Sequence, residues 1–408
     1  MAPDDVYPCG RMIFHLGFLM ALGTIYAYST WSPAFVNGSF PDWTSEDLGF
    51  VYSMGIFGAF ATPFGGMLYD KLGPTATYVI GLALTLLGIC GITAASQPGW
   101  LSQSQAPYVV GLCYYLEEQG SSTLYMGIAM DTLVHFPAKN VSVSMGLVAL
   151  GYGLSAVLMS FIVSSFQPSI IGFFWCLGVV LTLFCLMRVF LLGDFTHSGW
   201  QQVDENEAIS PSDALRTVPF RQLIIYSLGC LVPCTVLLSL LKSLGDAGGI
   251  DGSSVAQVAL ISNCFGRIVV GCGYDYYRDV PSHDALLIAC AGITAGFGIL
   301  LLQSLGTIPS VLLWVGCVSV TFLFGGSAPL VGAFVKDHFP SSSSGTIFGL
   351  HQVSIAFGNL LWALFLGPTS TSESAGFIRP VLGAFVLSGV AVATGFPDYM
   401  ARHTKQKS

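Results

Sequence analysis

The chain predicts an all-α integral membrane fold: twelve transmembrane helices arranged as two six-helix bundles. Three observations carry this. Hydrophobic residues make up 53% of the 408 residues and charged ones 9%, against roughly 25% charged in a soluble domain. Apolar stretches of about bilayer length follow one another almost end to end. The bases, only 14 in all, also fall on one side. With the gaps numbered alternately from an inside N-terminus, Arg11, Lys71, Lys139, Arg188, Arg216, Arg221, Arg278, Lys336, Arg402, Lys405 and Lys407 lie inside. Lys242 and Arg379 lie outside and Arg267 falls in mid-span. This bias predicts a multi-pass protein with both termini cytoplasmic, and does not separate the plasma membrane from an organelle membrane.

The spans read 12–35, 48–69, 75–95, 107–131, 142–165, 168–192, 220–243, 254–277, 283–304, 309–333, 344–367 and 377–396. The first lacks a small-residue cleavage signature after it and reads as a retained helix. Outside loops are short. The longest polar gap runs from Gly193 to Pro219 and holds Asp204-Glu205-Asn206-Glu207. It divides the chain into an N-terminal bundle (1–192), a cytoplasmic linker (193–219) and a C-terminal bundle (220–408). Ten of the 11 cysteines sit inside spans, where they behave as small apolar residues, and Cys9 sits in the tail. Pro233 is expected to kink span seven, and Gly325-Gly326 with Pro329 to soften span ten. Trp31, near the end of span one, reads as part of the interfacial aromatic belt.

An internal repeat supports six plus six. After span two the chain reads Gly66-Met-Leu-Tyr-Asp70-Lys71-Leu-Gly73-Pro74; after span eight, Gly271-Cys-Gly-Tyr-Asp275-Tyr-Tyr-Arg278. Glycine permits close helix contact, and the aspartate one turn later can accept hydrogen bonds from a neighbouring helix N-terminus. Gly66, Asp70, Lys71, Gly73, Gly271, Asp275 and Arg278 are therefore candidate conformational gating residues.

These motifs, the twelve spans and the central linker resemble the major facilitator superfamily over essentially the whole chain. The resemblance implies two bundles rocking around one central site. His135-Phe-Pro-Ala-Lys139 followed by Gly146-Leu-Val-Ala-Leu-Gly151 resembles nodulin-like transporters. Asn263-Cys-Phe-Gly266-Arg267 resembles the same group and the monocarboxylate and oxalate–formate branches, whose arginine here faces substrate. The monocarboxylate branch has an aspartate where this chain has Asn263.

The residues that could carry chemistry are charges stranded in spans. Glu117 and Glu118 lie near the middle of span four and Arg267 near the middle of span eight. A charge at bilayer centre costs about 2.5–3.5 kcal/mol on the insertion scale, so such groups face a wet cavity or pair with each other. The two glutamates point about 100° apart, so one is expected toward a cavity and one toward a neighbouring helix. Arg267 suits a carboxylate, which its fork can hold with two hydrogen bonds. A fixed salt bridge is the alternative. His351 and Gln352 in span eleven offer further donors, and Tyr26 and Tyr28 in span one could line a pocket.

The sequence thus reads as a secondary transporter of a small organic anion such as a monocarboxylate, by alternating access, with proton symport as an option. The alternatives are transport of an amino acid or other zwitterion, or a non-transporting membrane sensor. No phosphate loop, metal-ligand cluster or nucleophile–base pair is found, so ATP-driven transport by this chain alone is excluded, and no metal site, cofactor or enzymatic activity is expected. The expected partners are a small-molecule substrate, protons and the bilayer. Nucleic acid is not expected, and the chain reads as monomeric.

Overall fold

A computed structural model describes residues 3–97, 99–136, 140–166, 169–190, 209–277, 279–365 and 374–405. Every regular element among them is helical. In chain order they are α1 (Pro3–Leu22), α2 (Tyr28–Trp31), α3 (Ser45–Ala59), α4 (Thr62–Ala95), α5 (Ala106–His135), α6 (Val141–Phe166), α7 (Ile170–Phe190) and the short α8 (Pro211–Ala214). Then come α9 (Val218–Tyr226), α10 (Val232–Ala247), α11 (Gly252–Tyr276), α12 (Ser282–Ser304), α13 (Val311–His338), α14 (Ser344–Phe365) and α15 (Ile378–Lys405). Among the described residues, 8 helical stretches are long and apolar enough to cross a bilayer. One of them, Glu46–Ala95, is 50 residues long and holds two passes. The polar α5 and α14 and the broken first span complete the twelve. Side chains such as Leu87, Val179 and Ile288 point outward, as lipid-facing positions should.

Local chemistry sets the interruptions. The turn between spans two and three pivots on Gly73, whose φ of 83° and ψ of 176° suit only glycine. Thr44 and Asp47 form a reciprocal capping box at the start of α3. Span one is not one helix. It breaks at Gly23, continues as a 3-10 turn (Thr24–Ala27) and α2, and ends in a π turn (Phe35–Ser39). The Ser155 hydroxyl lies 2.6 Å from the Tyr152 carbonyl of its own helix and 3.0 Å from the Gly23 carbonyl, so it sits against a group that the break frees. Span seven bulges as a π turn at Ser227–Leu231, immediately ahead of Pro233. The bulge absorbs the missing proline N–H. Span ten, expected to soften, runs through Pro329 without a break as α13. Its two glycines are contact points for α11: Gly325 lies against Asn263 and Gly326 against Val270.

Packing divides the chain into two units, the first holding residues 1–136, 147–209 and 340–353, the second 137–146, 210–339 and 354–408. The division cuts through α6 and α14. The first is filled by aromatic rings. Trp31, 2% exposed, meets Tyr114 at 5.4 Å and Phe174 at 5.2 Å between centroids. Such pairs add about 0.5–1.5 kcal/mol each beyond area burial. Trp31 is therefore a core residue and not part of an interfacial belt. Its indole N–H is taken up by the Thr24 carbonyl at 3.1 Å, a partner that exists because span one is broken there.

Candidate functional site

The glutamate pair sits inside the first unit, both residues 0% exposed. Here α5 lies so close to α4 that a Cβ on Gly88 would fall 2.4 Å from the Glu117 nitrogen. The two carboxylates do not diverge as the helical angle alone suggests. The Thr24 hydroxyl lies 2.8 Å from Glu118 Oε1 and 3.4 Å from both Glu117 oxygens. A hydroxyl has one proton and O–H···O bonds run about 2.5–3.0 Å, so Thr24 donates to Glu118. Glu117 takes the Ser121 hydroxyl at 3.3 Å. Thr24 is the first residue after the Gly23 break, so the broken backbone brings its side chain to the pair. Sequence reasoning missed this residue; a glycine–threonine step within an apolar run is a faint signal.

Three further predicted residues belong to this unit, on α2 and α14. Tyr28 is buried and donates its hydroxyl to the Leu48 carbonyl at 2.8 Å, which ties α2 to α3. His351 is 2% exposed, with its ring 6.0 Å from that of Phe348; Gln352 beside it is partly exposed. The side chain of Tyr26 lies outside the described residues, as do Lys139, Arg278 and linker residues 193–208.

A second charged centre in this unit was not anticipated. Asp131 of α5, fully buried, receives the Arg188 guanidinium of α7 through Nε at 2.8 Å and Nη2 at 2.6 Å. The Tyr69 and Tyr78 hydroxyls each donate to it at 3.2 Å. His15 Nε2 stands 3.9 Å away, with Nδ1 3.2 Å from the Thr132 hydroxyl. Arg188 also stacks over the Tyr78 ring at 5.2 Å. Two bases counted toward the inner face are thus enclosed by protein, Arg188 at 5% and Arg11 at 3% exposed.

In the second unit, Arg267 is partly buried on α11 and donates through Nε to Asn263 Oδ1 at 3.2 Å. Asn263, one turn earlier and buried, donates to the Thr321 carbonyl of α13 at 3.1 Å. The amide therefore fixes the root of the guanidinium against a neighbouring helix. An aspartate there could not donate to that carbonyl while ionised.

The repeated motif has one geometry in each unit. Asp70 accepts from the Gly345 N–H at 3.1 Å, the Thr346 N–H at 2.7 Å and the Thr346 hydroxyl at 2.6 Å. These are the first-turn donors of α14. Asp275 accepts from the Ser142 N–H at 3.2 Å and the Val143 N–H at 2.8 Å, the first turn of α6. Each aspartate thus satisfies free helix N–H groups and meets the positive helix end. A Cβ on Gly66 would lie 2.1 Å from the Gly345 oxygen, and one on Gly271 2.9 Å from the Ser142 oxygen, so both contacts need glycine. Burial pushes the Asp70 carboxyl up from 3.8 to about 6, against the pull of the Thr346 and Gly345 donors. Lys71 is exposed.

An all-helical, multi-pass chain with charges enclosed in its spans has an architecture that membrane transporters share. Residues 16–363 match the model of the Major Facilitator Superfamily, and the chain belongs to that family. It moves a small solute by alternating access. It is 27% identical over 376 residues to an uncharacterized 38 kDa protein in a 23S RNA operon of Thermoproteus tenax, covering 90% of this chain and 87% of that one. Among solved structures, a bacterial homologue of the iron transporter ferroportin matches at 15% identity and TM-score 0.72, covering 95% and 98% of the two chains. The proton:xylose symporter XylE matches at 14% and 0.71, covering 97% and 96%. The E. coli fucose:proton symporter FucP matches at 15% and 0.67, covering 95% and 99%. At such identities the likeness shows the fold.

Proposed function

We propose that this transporter carries a small organic anion, such as a monocarboxylate, and that the two halves, 1–192 and 220–408, are its moving bundles. The observation that carries the reading is Arg267, a guanidinium in mid-span whose root is held by Asn263. An organic acid suits this group, because a carboxylate accepts the guanidinium fork with two parallel hydrogen bonds. Asn263 acts as a positioning residue. His351 and Gln352 are proposed as further donors. Tyr28 is a weaker candidate because Leu48 already takes its hydroxyl.

Glu117 and Glu118 support coupling to positive charge. Neither is within ion-pair distance of a Lys, Arg or His among the described residues. Two enclosed, adjacent carboxyls without a cation of their own form a place where a proton binds. The same fact favours one second reading: transport of an amino acid or other zwitterion, whose ammonium the glutamates would take.

Thermal unfolding of purified protein with a panel of acids, amino acids and sugars tests this. A true acid ligand should stabilise the wild type and not Arg267→Ala, since only a binding-competent native state gains from mass action. Stabilisation by a neutral sugar that survives Arg267→Ala would overturn the assignment. Proteoliposome uptake then separates the two anion readings by the charge moved per solute.

A further inference from the structure

Within the second unit a cavity of about 240 Å³ opens where α9, α12 and α15 meet. Its position along the helices fixes its depth. Arg221 and Gln222 lie in the first turns of α9, and His283 is the second residue of α12. The cavity therefore lies at the hydrocarbon boundary, on the side to which the sequence assigns most of its bases.

The lining is two-faced. Arg221, Gln222 and His283 form a polar edge, and Ile225, Leu286 and Leu287 an apolar wall. Ile225 is 38% exposed, and Val218 and Ile288, on the same two helices, are 59% and 63% exposed. The apolar side therefore opens laterally, out of the bundle and toward lipid. Arg221 is exposed and forms no ion pair among the described residues. Asp284 of α12 is buried at 2% exposure and lies 3.3 Å from the His283 ring. Arg216, five residues before Arg221, is also exposed. The volume falls below the roughly 300–1,000 Å³ of sites that enclose a drug-sized molecule. It suits one end of an amphiphile whose remainder stays in the bilayer.

We propose that this cavity is a binding site for an anionic phospholipid, with the headgroup phosphate on Arg221 and Gln222 and the first carbons of one acyl chain against Ile225, Leu286 and Leu287. A basic residue at the membrane surface attracts anionic headgroups, and an arginine fork matches phosphate geometry. The inference uses no residue of the proposed solute site and stands apart from the choice of cargo.

The test uses the full chain in non-ionic detergent, with bound lipid counted by native mass spectrometry and thermal unfolding followed in parallel. The additives are phosphatidylglycerol, phosphatidylcholine, and glycerol phosphate as the headgroup without a tail. Phosphatidylglycerol should bind and stabilise, and phosphatidylcholine should do so more weakly. Glycerol phosphate should give no shift at the same concentration. Arg221→Ala should weaken phosphatidylglycerol binding about five-fold, from about one basic residue's attraction, and Arg221→Lys should restore most of it. Leu287→Trp, which fills the apolar wall, should lower occupancy with the charge intact. Equal binding of the two lipids, unaffected by Arg221→Ala, would overturn the proposal in favour of a general lipid coat. A full shift with glycerol phosphate alone would overturn it in favour of a free-anion site. Arg221 is exposed, so its variants remain interpretable even if Leu287→Trp fails to fold.

Discussion

Replacing Asp131 by asparagine should be among the most damaging single changes in the first unit, although it removes no atoms from the packing. Four donors converge on this carboxylate: Arg188 through two nitrogens, Tyr69 and Tyr78. Asparagine keeps one carbonyl oxygen, turns the other acceptor into a donor, and leaves the Arg188 charge enclosed and unbalanced. Breaking a buried pair by removing one partner costs about 3–5 kcal/mol. For a unit of about 210 residues, each kcal/mol moves the midpoint by roughly 2–4 °C, so the loss should be roughly 6–20 °C. Arg188→Leu should cost a similar amount, because the buried Asp131 carboxylate then loses both guanidinium donors. The paired change Asp131→Asn with Arg188→Leu should recover part of the loss, since no lone charge remains. Thermal unfolding of the four proteins in one detergent forms a double-mutant cycle. A paired change as harmful as the two losses added together, or an Asp131→Asn midpoint within about 2 °C of wild type, would refute the reasoning.

Two further outcomes follow from the repeated motif. Gly66→Ala should destabilise more than Gly271→Ala, because its Cβ would approach backbone at 2.1 Å against 2.9 Å; overpacking of this kind typically costs about 1–3 kcal/mol, and a reversed order of melting points would count against the geometry. Asp70 gives a pH signature. Its carboxyl is raised from 3.8 to about 6 in the folded chain, so between those values the folded state holds a proton that the unfolded state lacks. Stability should therefore rise as pH falls from 7 toward 4, by at most about 3 kcal/mol from this group. Asp70→Asn should lose that component, and parallel pH curves for the two proteins would exclude it.

The amino-acid sequence by itself determined the membrane class, the number of passes and the pairing of the two G-x-x-x-D motifs. Each depends on period, length and charge, which are local quantities that a bilayer reads directly. It also marked Glu117, Glu118 and Arg267, because a charge within an apolar run stands out without knowledge of its neighbours. Only the tertiary structure decided what those charges meet. Thr24 reaches the glutamates because span one breaks at Gly23, where Ser155 of α6, 132 residues away in the chain, lies against the freed carbonyl. The Asp131–Arg188 pair was hidden for a similar reason. Each residue lies near the end of its span, where a charge reads as a loop residue, and only the packing of α5 and α7 against α1 and α4 turns them inward together. Trp31 looked interfacial for want of a visible partner for its N–H. Contacts between residues far apart in sequence leave no periodic trace, so the chain announces that a polar group is buried long before it reveals which group satisfies it.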